Sequence, residues 1–255
     1  MNKKNKILVG CLALLLALSV GYALFSETIT INGTAQAKGN FDITTSCVVG
    51  IHPDLNATFY DMVDNGSVND ECTYNGNIIT AKTELLYPGA LRTFTAVLTN
   101  SGSVPAVISY SDPDDNIIYM ASSYEGKLYK RADDSLHKTV TLNSSEAELD
   151  EFSTNYGFFI PYAIVIGVKL ADGTIVDDDD ILLANDMFYK DSAGLHYLKL
   201  NKGDSVYALL TASWDIEAVQ TDYYSSTTMS VNIPFKQFSS DLILDSAGGT
   251  CIWGC

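Results

Sequence analysis

The sequence predicts an all-β protein, a β-sandwich with one or two short helices and a hydrophobic helix at its N-terminus. Three observations lead there. Apolar residues recur with a period of two in several separate stretches, and turn residues punctuate them regularly. Tyr and Thr, which suit half-exposed strands, are abundant.

The chain opens on a basic tip, Lys3, Lys4 and Lys6, followed by an apolar run from Ile7 to Val20 and the small-residue stop Gly21-Tyr22-Ala23. This is the layout of a secretory signal peptide spanning residues 1–23, with Gly21 and Ala23 at the −3 and −1 positions and Leu24 as the new N-terminus. A run of about 14 residues is short of the roughly 20 that cross a bilayer. Continued through Tyr22–Phe25, it would instead be a retained anchor. Ala35-Gln36-Ala37 also fits the small-x-small rule, but lies far from the apolar run. Residues 24–38 then read as a short strand and linker, with Ile29 and Ile31 on one face and Thr28 and Thr30 on the other.

Residues 39–240 carry the sandwich. Phe94, Ala96 and Leu98 alternate with Thr93, Thr95, Val97 and Thr99; Ile164, Ile166, Val168 and Leu170 alternate with Ala163, Val165, Gly167 and Lys169. Val206, Ala208, Leu210, Ala212 and Trp214 share one strand face, as do Met229, Val231, Ile233 and Phe235. Phe94 and Trp214 are core candidates. Pro88-Gly89, Asn100–Ser103, Asp172-Gly173 and Lys202-Gly203-Asp204 supply the turns. One helix interrupts the strands: Ser145-x-x-Glu148 is a capping box, and Ala147, Leu149 and Phe152 form a small apolar face. The helix is expected near Glu146–Ser153, over an open end of the sandwich. Residues 241–255 read as a Cys-containing tail.

The chain has 31 acidic and 15 basic residues, and loss of Lys3, Lys4 and Lys6 leaves 12 basic residues and a charge of −19. Such a surface repels phosphate backbones and anionic membranes, which argues against nucleic-acid binding. Once Cys11 leaves with the signal, Cys47, Cys72, Cys251 and Cys255 remain. An even number in an exported chain favours two disulfides, with three connectivities open. Cys47–Cys72 with Cys251–Cys255 is preferred, because both loops are local.

Motifs for catalysis are weak. His52, His137 and His196 are widely separated, with no His-Glu-x-x-His, and no Gly-x-Ser-x-Gly elbow is present. The three histidines read as structural or surface residues. Two acidic clusters, Asp112–Asn116 and Asp177–Asp180, offer oxygens to calcium, with Asp112, Asp114, Asp177 and Asp179 as candidate ligands. Neither has the spacing of an EF-hand, and solvated turns are the preferred reading. No cofactor is expected, although calcium could screen so acidic a chain as it assembles. Four Asn-x-Ser/Thr triplets, at Asn32, Asn56, Asn65 and Asn143, read as turn chemistry.

Several of these stretches share a likeness. Gly21–Ser26, Thr30–Ala35 and Gly39–Ile43 resemble the start of the TasA/camelysin family, exported Gram-positive proteins processed by a SipW-type signal peptidase. Leu86-Tyr87-Pro88-Gly89 with Phe94–Ala106 is similar to the family's Leu-x-Pro-Gly … Asn-x-Gly strand, and Leu200–Ser205 through Trp214-Asp215 to a later one. The stretch from about Asp112 to Asp191 does not align. The resemblance implies a jelly-roll sandwich whose processed N-terminal strand is donated to the next subunit. It also implies an extracellular fibre of a biofilm matrix or cell surface.

The expected function is therefore a secreted structural subunit, with Leu24, Phe25, Ile29 and Ile31 as donor-strand anchors. Its partners would be other copies of itself head to tail, the signal peptidase, and other matrix proteins. A strand added to a sheet edge satisfies backbone groups and fills apolar pockets, and a contact that does not close on itself builds a filament. Two rivals stand beside it. One is a surface-anchored monomeric binding domain that folds Thr28–Ile31 into its own sheet. The other is a secreted metal-dependent protease, an activity described for some relatives.

Overall fold

The structure, a computed structural model, describes residues 39–55, 64–110, 117–156, 162–177, 187–217 and 222–245. The chain divides into two units, Met1–Lys38 and Gly39–Cys255, and every described residue belongs to the second. This unit is all-β. Its strands, numbered in chain order, pair antiparallel throughout, and one helix accompanies them among the described residues.

Two sheets face each other. The first is ordered β1 (Ile43–Val49), β4 (Leu91–Asn100), β12 (Ser205–Ser213) and β8 (Tyr162–Lys169), with β9 (Ile175–Asp177) on β8. The second is ordered β2 (Ser67–Asn75), β3 (Ile78–Leu85), β13 (Tyr223–Asn232) and β6 (Ile118–Lys130), with β7 (Leu136–Thr141) on β6. Strand β6 belongs to both. Its first residues, Ile118–Met120, pair with β8, and Ala121–Lys130 pair with β13.

The core is what the period-two patterns predict. Phe94, Ala96 and Leu98 of β4 and Val206, Ala208, Leu210 and Ala212 of β12 meet Ile79, Ala81 and Leu85 of β3 and Met229 and Val231 of β13. Trp214 and Phe94 are fully buried there. Burial of this apolar surface, at about 25 cal/mol per Å², is the main force holding the sheets together.

One side of the sandwich is closed by β6. At the other, the edge strands β1 and β2 are joined by the Cys47–Cys72 disulfide, with Cα atoms 5.7 Å apart. A second tie lies between the same sheets. The register of β2 on β3 slips between Val68 and Glu71, and Asn69 there takes a left-handed φ of 56°. This bulge, which inserts unpaired residues into one strand, accompanies an Asp70 aimed inward. The Asp70 carboxylate accepts from the Thr83 hydroxyl at 2.6 Å and pairs with Arg92 of β4 at 2.9 Å; Arg92 also reaches Asp64 at 3.1 Å.

A third sheet is ordered β14 (Phe235–Gln237), β5 (Ala106–Tyr110), β11 (His196–Leu200), β10 (Phe188–Lys190) and β15 (Ile243–Leu244). It is the β4–β12 ladder folded over: β4 runs into β5 and β11 into β12, and Ile108, Leu198 and Leu200 return to the main core. The tail read from residue 241 begins inside this sheet. Ile243 and Leu244 pair with β10, and Asp245 is buried against Lys190 at 3.2 Å and His196 at 2.9 Å. A two-residue strand is too short to leave a periodic signal.

Two local expectations are corrected. Ile164, Ile166 and Val168 do not share one face. The ladder between β8 and β12 slips at Tyr207/Ala208, opposite Gly167 and Val165, so Ile166 is an extra residue. Val168 therefore enters the main core, while Ile164 and Ile166 join a second cluster on the outer face. The helix α1 spans Glu146–Tyr156, longer than expected, and its capping box forms, with Glu148 accepting from the Ser145 amide and hydroxyl at 2.9 Å. Phe152 is buried and Leu149 packs beside it, but Ala147 is exposed. The helix lies along β7, where Lys138 pairs with Glu151 at 2.8 Å. It thereby shields an edge strand.

Candidate assembly surface

The described unit starts at Gly39, and the first residues are pinned to the turn after β4. The Asp42 carbonyl accepts from the Ser101 and Gly102 amides at 3.0 Å, and the Asn40 carbonyl accepts from the Ser103 amide at 2.7 Å. The Asn40 amide donates to the Ser103 hydroxyl, and the Ser101 hydroxyl donates to the Asp42 carboxylate. Close approach of these two backbones requires glycine. A Cβ at Gly102 would stand 2.3 Å from the Asn40 carbonyl oxygen and 2.7 Å from the Asp42 nitrogen.

The turn itself is organised by two buried polar side chains. Asn100 donates to the carbonyls of Val104 and Leu200 at 2.9 and 3.0 Å, and its side-chain oxygen accepts from the Gly102 amide. Asp204 accepts from the Asn201 amide at 2.7 Å and the Ala171 amide at 2.9 Å. The two residues also exchange backbone bonds: the Asn100 amide reaches the Asp204 carbonyl, and the Gly203 amide the Asn100 carbonyl. Buried polar groups that are paired in this way specify one geometry, since leaving any of them unpaired is costly. Asn100 and Asp204 were legible only as turn residues. Their burial, at 0 and 3 % exposed, is what makes them the hub of the corner.

Three stretches singled out in the sequence thus meet at one corner: Gly39–Ile43, Asn100–Ala106 and Leu200–Ser205. Leu86–Gly89 and Trp214-Asp215 meet at the opposite end of the β4–β12 ladder. There the Gly89 amide donates to the Trp214 carbonyl and the Trp214 amide to the Ala90 carbonyl, with Gly89 at a φ of 87°. The ladder between them is ten residues of β4, roughly 33 Å.

The outer face of the first sheet holds a second apolar cluster, Leu55, Val97, Ile166, Tyr207 and Leu209, with Ile51 and Ile164 against it. Residues 50–55 cover part of this face and are clasped there. Asp54 takes hydrogen bonds from Lys169 at 2.5 Å and from the Tyr207 hydroxyl at 2.9 Å, and the His52 ring packs 5.2 Å from that of Tyr207. The Lys169 and Tyr207 bonds hold the Asp54 carboxyl below its ordinary range, while burial and the Asp54 charge push the Tyr207 phenol up.

The three histidines occupy different elements: His52 in this clasp, His137 beside the Tyr223 ring at 4.8 Å, and His196 on Asp245. Among the described residues, no three His, Cys, Asp or Glu side chains are grouped to hold a metal ion. Asp177 closes β9 opposite Gly167. The other weak calcium candidates, Asp112, Asp114 and Asp179, lie outside the described residues, as do the cleavage residues Gly21, Ala23 and Leu24. The donor anchors Leu24, Phe25, Ile29 and Ile31, and Cys251 and Cys255, also lie outside them.

Fold and corner together define a class, an all-β sandwich stapled by a disulfide with Asn40–Asp42 fastened at one corner. No family model and no curated protein sequence matches the chain.

Proposed function

We propose that this is an exported structural protein, a subunit of an extracellular fibre assembled by donation of its N-terminal strand, residues 24–31. The observation that carries the reading is the division of the chain at Lys38/Gly39. The sandwich core is built from Ile43 onward, and Asn40–Asp42 are fastened where the β4–β12 ladder ends. A segment so rooted, with Leu24, Phe25, Ile29 and Ile31 as apolar residues, suits addition to a neighbouring copy. The family resemblance points the same way, toward a biofilm-matrix or cell-surface fibre and processing by a SipW-type peptidase. The Cys47–Cys72 staple suits the oxidising space outside the cell.

Negative-stain electron microscopy tests the reading on a chain beginning at Leu24 beside one beginning at Thr34. Filaments from the first and monomers from the second are expected. Monomers from both, across pH, calcium and protein concentration, would refute it in favour of the anchored monomer.

A further inference from the structure

The second apolar cluster does not end where residues 50–55 stop covering it. On the same outer face, Ile118 of β6 pairs with Ile164 of β8, and Met120 pairs with Tyr162. Ile118, Met120 and Tyr162 are 40, 60 and 46 % exposed, and Ile164 links them to the buried cluster. Cross-strand partners stand side by side on a sheet, so the four form one continuous surface. All four are uncharged, in a chain of net charge −16.

We infer that this patch receives the apolar N-terminal segment of a second copy, residues 24–31. The inference rests on the strand-donation reading and names the face on which the apolar side chains of the donated segment would seat. Charge supports the match. Residues 24–38 carry one acid, Glu27, one base, Lys38, and the new α-amino group at Leu24, so the segment has no net negative charge and can approach an uncharged patch without the repulsion that separates the acidic bodies. With residues 24–31 seated on the patch, the seven residues 32–38 give about 23 Å of extended linker back to Gly39.

The patch and the point where the segment joins the sandwich lie toward different ends of the first sheet. Strand β1 runs from Ile43, opposite Asn100, to Val49, opposite Phe94. The described residues before Ile43, Gly39–Asp42, lie at the Asn100 end of the first sheet. The patch lies toward the other end, since Ile164 pairs with Leu209 and Leu209 with Thr95. Residues 50–55 show how this face takes apolar side chains, with Ile51 and Leu55 seated on Val97, Tyr207 and Leu209.

The test is photo-crosslinking in a mixture of isotopically light and heavy full-length chains, processed to Leu24, with Tyr162→benzoylphenylalanine. Crosslinked peptides joining position 162 of one isotope to residues 24–31 of the other are expected. Crosslinks within one copy would overturn the inference. Filaments with crosslinks elsewhere would overturn this placement while leaving strand donation standing, and an absence of filaments from the unmodified chain would remove both. Met120→Asp supplies the second arm. It places a charge where an apolar contact should form and is expected to raise the concentration needed for assembly by about tenfold or more. The thermal midpoint of the monomer should not move, because Met120 is exposed. Unchanged assembly of this variant would also overturn the placement.

Discussion

Removing the Cys47–Cys72 bridge measures how far the staple, rather than the core, keeps the sandwich shut. The perturbation is the double variant Cys47→Ala with Cys72→Ala, since a single change leaves a thiol free to exchange. The bridge closes a loop with a sequence separation of 25, which in the chain-entropy relation corresponds to about 12 cal/mol/K, or about 3.5 kcal/mol at 25 °C. That effect lies in the unfolded chain, which gains freedom when the link is cut. The folded sheets are still held by β6 and by Arg92 between Asp64 and Asp70. Urea denaturation followed by tryptophan fluorescence is the assay, with Trp214 in the core as reporter. The midpoint should fall by the equivalent of about 3.5 kcal/mol, with a steeper denaturant dependence as more surface is exposed on unfolding. A loss below about 1 kcal/mol would refute the reasoning. So would native-state unravelling of β1, because the sheets would then depend on the staple for their folded geometry.

Other tests address the corner and the clasp. Asn100→Ala leaves the carbonyls of Val104 and Leu200 without their buried donor, and should cost about 2–4 kcal/mol in the same denaturation experiment. Gly102→Ala drives a methyl against the Asn40 carbonyl; hydrogen exchange should quicken at the Ser101–Ser103 amides while the β4 and β12 amides stay protected. The Asp54 carboxyl is held below its ordinary value of 3.8, so its contribution is complete above that pH and is lost as pH falls through the lower folded value. Acid titration followed by exchange at the His52, Asp54 and Leu55 amides should show this loop still held at pH 3.8 and released only at lower pH, and Asp54→Asn should release it at neutral pH.

The strands were legible wherever one face meets a core and the other meets solvent. β13 alternates along its whole length, and the faces read from β4 and β12 are the ones in the main core, although Val97, Tyr207 and Leu209 make the outer faces of those two strands partly apolar as well. β8 was misread at Ile166 because both its faces are apolar, so the composition carries no mark of the extra residue that switches them. β15 was missed because two residues have no period and are held by Asp245, whose partners Lys190 and His196 lie about fifty residues earlier in the chain. The capping box was readable because all of its bonds lie within four residues. The corner was only half readable. Asn-x-Gly and Lys-Gly-Asp announce turns, but the convergence of Asn40, Asn100 and Asp204 depends on how the β4–β12 ladder folds over. The patch at Ile118, Met120 and Tyr162 gave no sequence signal, because it exists only through the pairing of β6 with β8.

Electron cryomicroscopy of filaments grown from the chain beginning at Leu24 tests the central claim most directly. The account predicts density for residues 24–31 leaving the Gly39 corner of one sandwich and lying as a strand on the body of the next. Filaments joined only by contacts between the sandwiches, with residues 24–31 folded onto their own body, would contradict it.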